Sequence, residues 1–323
     1  MTDTELLRLG LRLLPLPLGP AGFETFLSCW VVTGEPTTLV DCGAPSTAGA
    51  LIAQLEGLGL TPEYLLLTHI HMDHAGGAGE LARRWPRLKV VAHEKALAHL
   101  AAPEKLTEDT RAALGSELAN AYGPMTPVRP GQLFGPEMLP PGWEALRTPG
   151  HAFHHLSFFC DLPEGERACF GGEALGTLGH PSWFIDSAPL PWLRPATPPK
   201  QKPSVTAASI GSVKNARWSL YCAAHFAASR DRRLPDRALA QLRLWGAFAD
   251  QVVREGWDDD ETVDRLLAAD GELGTWGDLK PDVQGRERFF MRNSIRGLKE
   301  FIKGQGNNPT VRPVGSWRRG NDA

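Results

Sequence analysis

An α/β fold is predicted for this 323-residue chain by three observations. Short β-like runs alternate with stretches of helical periodicity as far as His225, a ligand-rich loop directly follows one of those runs, and beyond His225 the chain turns strongly helical. The alternation argues for sheets covered by helices, with ligand loops along one edge. Alternation alone would also permit a dinucleotide-binding sheet. Against that stand the lack of GxGxxG after the first strand and the unsuitability of histidine loops for a dinucleotide.

Taken in order, Phe26 to Val32 and Thr37 to Val40 read as paired strands around the Gly34-Glu35-Pro36 turn. Ser46 is placed to cap a helix running to about Leu58, with Leu51, Ile52 and Leu55 on one face. Tyr64 to Thr68 begins the next strand; Gly79 to Trp85 is helical, Leu88 to Val91 a strand, and Lys95 to Leu100 helical again. Residues Gly176 to Pro203 break the rhythm, being dense in proline and aromatics, and are expected to form a loop. Its His180, Trp183, Phe184 and Arg194 are candidates for a substrate wall, although tryptophans that merely cover a sheet would look the same.

Helices are predicted over Pro235 to Val253, Glu261 to Ala269 and Val283 to Ile302. The last carries Phe289, Phe290, Ile295, Leu298 and Phe301 amid Arg286, Arg288, Arg292, Arg296 and Lys299. That pattern fits an amphipathic helix packing on the sheets or on a second subunit, which would make a homodimer, with its charges on a solvated face. Gly304 to Ala323 reads as a flexible tail. The expected division is therefore 1–228, 229–303 and 304–323, with no internal repeat.

Composition narrows the function classes. A hydrophobic fraction of 42% supplies a sizeable core, and a net charge of −3 offers no field to recruit nucleic acid or an anionic membrane. The cysteines Cys29, Cys42, Cys160, Cys169 and Cys222 are odd in number, lie in apolar runs and lack CxxC spacing, as expected of buried thiols in a reducing compartment. The amino-terminal segment carries acids and prolines and no small-residue cleavage site, unlike a signal peptide. No uncharged stretch approaches the about 20 apolar residues that span a bilayer, so a cytoplasmic protein is expected.

The chemistry is concentrated in Thr68-His69-Ile70-His71-Met72-Asp73-His74-Ala75-Gly76-Gly77, which follows the apolar run Tyr64-Leu65-Leu66-Leu67. Neutral imidazole and carboxylate are the ligands that Zn²⁺ and its borderline neighbours select. His69 and His71, two apart in an extended segment, point the same way, while Asp73 and His74 follow where the chain turns toward a helix. Two ligand pairs suggest two adjacent metals. Gly76-Gly77 lets backbone approach the site closely.

This segment resembles the HxHxDH motif of the metallo-β-lactamase fold superfamily. The resemblance implies a third histidine after a T-P-G turn, an acidic residue after a small strand ending in Gly, and a last histidine after another strand. Thr148-Pro149-Gly150-His151, Cys169-Phe170-Gly171-Gly172-Glu173 and Leu220-Tyr221-Cys222-Ala223-Ala224-His225 match in that order. Thr38-Leu39-Val40-Asp41-Cys42-Gly43 is similar to the family's early strand ending in D-x-G, so the likeness runs from about Thr25 to His225. It implies an αββα sandwich, one metal held by His69, His71 and His151, and a second held by Asp73, His74 and His225.

The family usually has Asp where this chain has Glu173, the expected bridge between the metals. Its longer arm either bridges after a backbone shift, keeping both ions within about 2.0–2.2 Å for zinc, or binds one ion only. His155 matches a second histidine of the P-G-H-x-x-x-H stretch and is expected to orient ligands. His93 and His154 have no such match and are read as satisfied or exposed. Ala92-His93-Glu94-Lys95, Ala98-His99-Leu100, Pro103-Glu104-Lys105-Leu106, Ala121-Tyr122-Gly123 and Arg194-Pro195-Ala196-Thr197-Pro198-Pro199 resemble a little-characterised subgroup of predicted hydrolases from archaea and bacteria.

The implied chemistry is hydrolysis. A metal-bound water whose pKa falls to about 7 supplies hydroxide at neutral pH for attack on a small ester, thioester or lactone. Asp73, besides ligating, orients that nucleophile or handles its proton. Two divalent ions are expected, zinc first with iron or manganese as alternatives. A glyoxalase-like thioesterase is a special case, although its glutathione-binding residues find no match here. A mononuclear iron oxygenase of the persulfide-dioxygenase type is the alternative, needing two histidines and one carboxylate. A binding protein with a relic site has only Glu173 in its favour. Nuclease activity is disfavoured because the chain is not basic.

Overall fold

The computed structural model describes residues 1–186, 192–198 and 202–305. Strands β1 (Leu11–Pro15), β2 (Ser28–Val32), β3 (Thr38–Val40), β4 (Tyr64–Leu66), β5 (Lys89–Val91) and β6 (Leu133–Phe134) form one sheet in chain order. Its first three strands are antiparallel, and from β3 to β6 all pairings are parallel. The second sheet uses β7 (Trp143–Arg147), β8 (Leu156–Asp161) and β9 (Arg167–Gly172). A small ribbon of β10 (Thr177–Leu178) and β11 (Leu193–Arg194) intervenes before β12 (Leu220–Ala223) and β13 (Ala228–Ser229) complete that sheet in the order β13-β12-β9-β8-β7.

Strict period-two alternation packs the sheets face to face. Trp30, Val40, Leu66 and Val91 of the first sheet share a buried cluster with Phe158, Cys160, Phe170, Leu220 and Cys222 of the second. The intervening residues point outward. Val31, Leu39, Leu65 and Val90 meet Leu51 and Leu55 of helix Ala48–Gly57 and Leu81 of helix Ala78–Arg84. Phe159, Cys169 and Tyr221 meet Ile210 and Val213 of helix Pro203–Asn215 and Leu234, Ala238 and Leu242 of helix Leu234–Glu255. The result is the expected αββα sandwich with a helical C-terminal region.

Several details depart from the sequence reading. Helix Asp3–Arg8, with a Thr2/Glu5 capping box, and β1 have no counterpart in it, because Pro15 and Pro17 interrupt the apolar run. Only β2 flanks β1, an edge position that tolerates Pro15. Ser46 caps no helix; its hydroxyl donates to Ala121 O at 2.8 Å, and Pro45–Thr47 is a 3₁₀ turn ahead of the helix. Helices Glu104–Leu114 and Ser116–Tyr122 also lie outside the predicted elements.

The last helix, Pro281–Gln305, packs on its own chain, burying Met291, Ile295 and Leu298 in the cluster that holds Phe23 and Phe26. Arg288 and Arg292 pair with Asp260, and Arg296 and Lys299 with Asp259, on helix Asp259–Ala269. Arg286 breaks the expected charged face, since its side chain is fully buried. Of the expected tail, residues 306–323 lie outside the described residues, as do 187–191 and 199–201 of the aromatic loop.

Candidate metal centre

Four loops at one end of the sandwich supply the ligand set. β4 ends at Leu66, and Thr68 to His71 run extended beyond it until Met72–Ala75 forms a single helical turn. His69 and His71 therefore project inward, and the turn brings round Asp73 and His74. His151 follows the β7 strand, Glu173 follows β9 and His225 follows β12.

The Glu173 carboxylate lies at the centre. Its Oε2 is 2.8 Å from His151 Nε2 and 3.7 Å from Nε2 of both His69 and His74, while Oε1 is 3.3 Å from His225 Nε2. Asp73 Oδ2 lies 3.4 Å from His74 Nε2. His69, His71, His151 and Glu173 make one group able to hold an ion, and Asp73, His74 and His225 a second, with donor atoms in each within 4.8 Å of one another. All seven expected ligands are thus brought together.

The donor chemistry fits a cation. His74 Nε2 is buried without a hydrogen-bond partner among the described residues. His71 Nδ1 is approached by His69 Nε2 at 3.1 Å and by His151 Nε2 at 2.9 Å. One ring nitrogen cannot satisfy two such neighbours, whereas a shared cation accepts all three lone pairs.

Electrostatics favours the ligating forms of His69, His71, Glu173 and Asp73, while His74 is drawn toward its protonated form by its carboxylate neighbours. Burial, reinforced by His74 and His71, holds His69 far below the usual imidazole range, and burial with His151 pushes His71 down to about 3. Both are neutral at pH 7. Burial works against the charge on Glu173, but His151 and His225 outweigh it and keep the carboxylate ionised. Burial likewise opposes ionisation of Asp73, and His74 overcomes it. Burial disfavours a charged His74, yet Asp73 and Asp41 raise its pKa.

A supporting layer fixes the ligands. Asp41 takes a positive φ of 56° directly after β3 and accepts hydrogen bonds from Thr68 N and Thr68 Oγ1, each at 2.8 Å. Its Oδ2 is 3.1 Å from His74 Nδ1. Thr68 Oγ1 lies 3.1 Å from His69 Nδ1, and His151 Nδ1 lies 3.1 Å from Ala196 O. His155 Nε2 accepts from Glu173 N at 3.1 Å, and its Nδ1 is 2.8 Å from Thr148 Oγ1, the orienting place expected of it. Gly172 bends at φ +54°, and a Cβ there would collide with His155 Nε2, so only glycine lets Glu173 reach inward. Phe26 stacks on His225, ring centroids 4.0 Å apart.

Of this layer, Asp41 is visible in the sequence as part of a D-x-G strand, but its bond to His74 spans 33 residues and leaves no local signal. Thr68 and Thr148 stand in the quoted ligand motifs, but their hydrogen bonds to His69 and His155 are not marked there, and Phe26 gives no signal. His93 is satisfied, accepting from Lys95 N at 3.2 Å and lying 2.6 Å from Arg147 Nη1. His154, read as satisfied or exposed, is instead buried with its Nδ1 unpartnered among the described residues.

The substrate-wall residues are revised. Trp183 is fully buried; its Nε1 donates to Thr25 O at 2.9 Å, and its ring lies against the Arg286 guanidinium. Phe184 is also buried, and Arg194 is buried in an ion pair with Glu287 at 2.5 Å. Trp183 and Arg194, covered by the helix Pro281–Gln305, leave no face for a substrate; in sequence, covered side chains of a proline-rich loop look like exposed ones. His180 is half-buried and lines a different cavity with Leu13, Phe184 and Phe226.

The model of the metallo-beta-lactamase superfamily matches residues 23–225, and the chain belongs to that family. A hydroxyacylglutathione hydrolase of Bradyrhizobium sp. (strain ORS 278) is 30% identical over 146 residues, covering 45% of this chain and 46% of its own length. One from Xanthomonas oryzae pv. oryzae is 28% identical over 180 residues, covering 55% and 56%. The chain spans about half the length of the curated relatives it matches. Among solved structures, an archaeal metallo-beta-lactamase superfamily protein from Sulfolobus tokodaii superposes with a TM-score of 0.61 at 22% identity, over 89% of this chain and 98% of that one. A metallo-beta-lactamase family protein of Thermus thermophilus gives 0.57 at 20%, over 94% and 97%. These establish the fold alone.

Proposed function

We propose that the protein is a metal-dependent hydrolase of small thioesters, esters or lactones, with a hydroxyacyl thioester of glutathione as the first substrate to test. One observation carries the reading: five histidines and two carboxylates, drawn from four separate loops, converge on a single point about Glu173. The names of the curated relatives support the thioester choice. His69, His71 and His151 would hold one divalent ion, and Asp73, His74 and His225 a second, with Glu173 between them; zinc is the first candidate. Such ions supply Lewis acidity and lower the pKa of water to about 7.

The chain's own residues do the rest. Asp73, kept ionised by His74 and 15% exposed on its side chain, is the carboxylate open enough to orient water. His69, His74 and His225 are buried and form a dry floor. Asp41 and His155 hold the floor in place.

We also propose the division 1–228, 229–303 and 304–323, and a cytoplasmic location. Five buried free thiols support the latter. No described helix is long and apolar enough to cross a membrane.

The test is metal analysis of protein purified without added metal, beside turnover of S-lactoylglutathione, a lactone panel and a persulfide. About two equivalents of divalent metal with thioester, ester or lactone hydrolysis is the expected result. A single iron with oxygen consumption on the persulfide would replace hydrolysis by oxygenation.

A further inference from the structure

The last helix, Pro281–Gln305, seats on the segment between β1 and β2. Gly22 turns there at φ +84°, and a Cβ on it would collide with the Asp282 carbonyl, so helix and segment meet backbone to backbone. Arg286 Nη1 donates to Gly22 O, and the Arg286 guanidinium lies over the Phe26 ring, 4.4 Å from its centroid. Phe290, one turn further on, stacks on the same ring at 5.2 Å.

That segment in turn grips His225. Phe26 stacks on the imidazole with centroids 4.0 Å apart and planes 12° from parallel, and Phe26 O lies 3.4 Å from His225 Nδ1. Ser28 holds the backbone on either side: its Oγ donates to Ala224 O at 2.9 Å and accepts from Phe226 N at 3.2 Å. Phe226 is bent at φ +63°, a strained conformation for a residue with a Cβ. The His225 ring is therefore placed by Phe26 and Ser28 as well as by its own loop.

Packing alone does not account for Arg286. Its side chain is fully buried and its Nη2 has no hydrogen-bond partner among the described residues. An apolar side chain in place of a buried ion pair is often neutral or stabilising. Charge balance does not call for Arg286 either, because Glu287 already pairs with Arg194. What the guanidinium supplies, and an aliphatic chain does not, is a planar cover for Phe26 together with an anchor on Gly22.

We propose that Arg286 and Phe26 are positioning residues for His225, so that the C-terminal helix sets how tightly the ion held by Asp73, His74 and His225 is bound. This rests on the two-ion reading of the site, and the test keeps the two apart.

Metal-free native protein, His225→Ala, Phe26→Leu, Arg286→Met and Leu298→Ala, the last a core truncation on the same helix, are melted and then titrated with zinc against a chelator of known affinity at a temperature where all are folded. The equivalent that His225→Ala weakens should bind about 10-fold or more weakly in Phe26→Leu and in Arg286→Met, with the other little changed. Leu298→Ala should lower the melting temperature and leave both equivalents near native. Combined with His225→Ala, Phe26→Leu and Arg286→Met should cost no further affinity, since no imidazole remains to be placed.

Native affinity in Phe26→Leu and Arg286→Met, an equal loss in Leu298→Ala, or full additivity with His225→Ala would overturn the proposal. If one of the two variants does not fold, the other decides. A native protein that binds a single equivalent ends the two-ion reading, and the same cycle on that equivalent then decides the positioning role. A His225→Ala variant that keeps every equivalent intact would remove the ligand and the positioning role together.

Discussion

Asp41 Oδ2 sits 3.1 Å from His74 Nδ1, and the same carboxylate accepts from the Thr68 backbone and hydroxyl. One buried side chain from the end of β3 thus ties the loop after β4 to a ligand at the far end of the histidine cluster. Asp41→Asn keeps the size and removes the charge that supports His74. Metal affinity should fall about 10- to 100-fold while the fold persists. Zinc titration against a chelator of known affinity checks this, and unchanged affinity would reduce Asp41 to a turn residue.

Glu173→Asp probes the departure from the family pattern. The Glu173 oxygens already reach His151 at 2.8 Å and His225 at 3.3 Å from the Gly172 bend, so the longer arm is accommodated. Shortening it should loosen one of the two proposed metals by about 10-fold or more. A native protein that binds one tight equivalent, rising to two in the Asp variant, would show the opposite.

Trp183→Ala tests the revised placement of the aromatic loop. The ring is buried against Arg286, Phe26 and Trp192. Its removal should cost about 3–5 kcal/mol of stability, measured by denaturant unfolding. A stable variant with altered substrate preference would restore the substrate wall.

Glu287 sits between Arg194 and Arg286, both buried; burial opposes its charge, but the two guanidinium groups hold its pKa below the usual range. A carboxylate depressed on folding adds stability that is present above its unfolded pKa of about 4.3 and is lost as pH falls through the folded value. Glu287→Gln should destabilise by about 3–5 kcal/mol at pH 7 and remove this component of the acid dependence. An equally steep loss of stability below pH of about 4.3 in the variant would assign it to other carboxylates.

The legible and illegible parts of the chain divide by sequence separation. His69, His71, Asp73 and His74 lie in one run, and their convergence follows from an extended segment ending in a turn. Strands β2 to β5 are readable because each carries its own apolar run and boundaries. Phe26 reaches the cluster only through tertiary packing, and Asp41, legible as the end of a D-x-G strand, meets His74 33 residues on, a contact that no local spacing marks. Trp183 and Arg194 mislead for the same reason: the C-terminal helix that buries them lies about 100 residues downstream, as the Arg194–Glu287 separation of 93 shows.

The cluster is proposed to be a metal site that drives hydrolysis. His71→Ala compared with native protein, purified without added metal and assayed for metal content, secondary structure and S-lactoylglutathione hydrolysis, tests it most directly. The expected result is a folded variant that loses at least one equivalent of metal and about 100-fold or more in turnover. A variant with native stoichiometry and native turnover would contradict it.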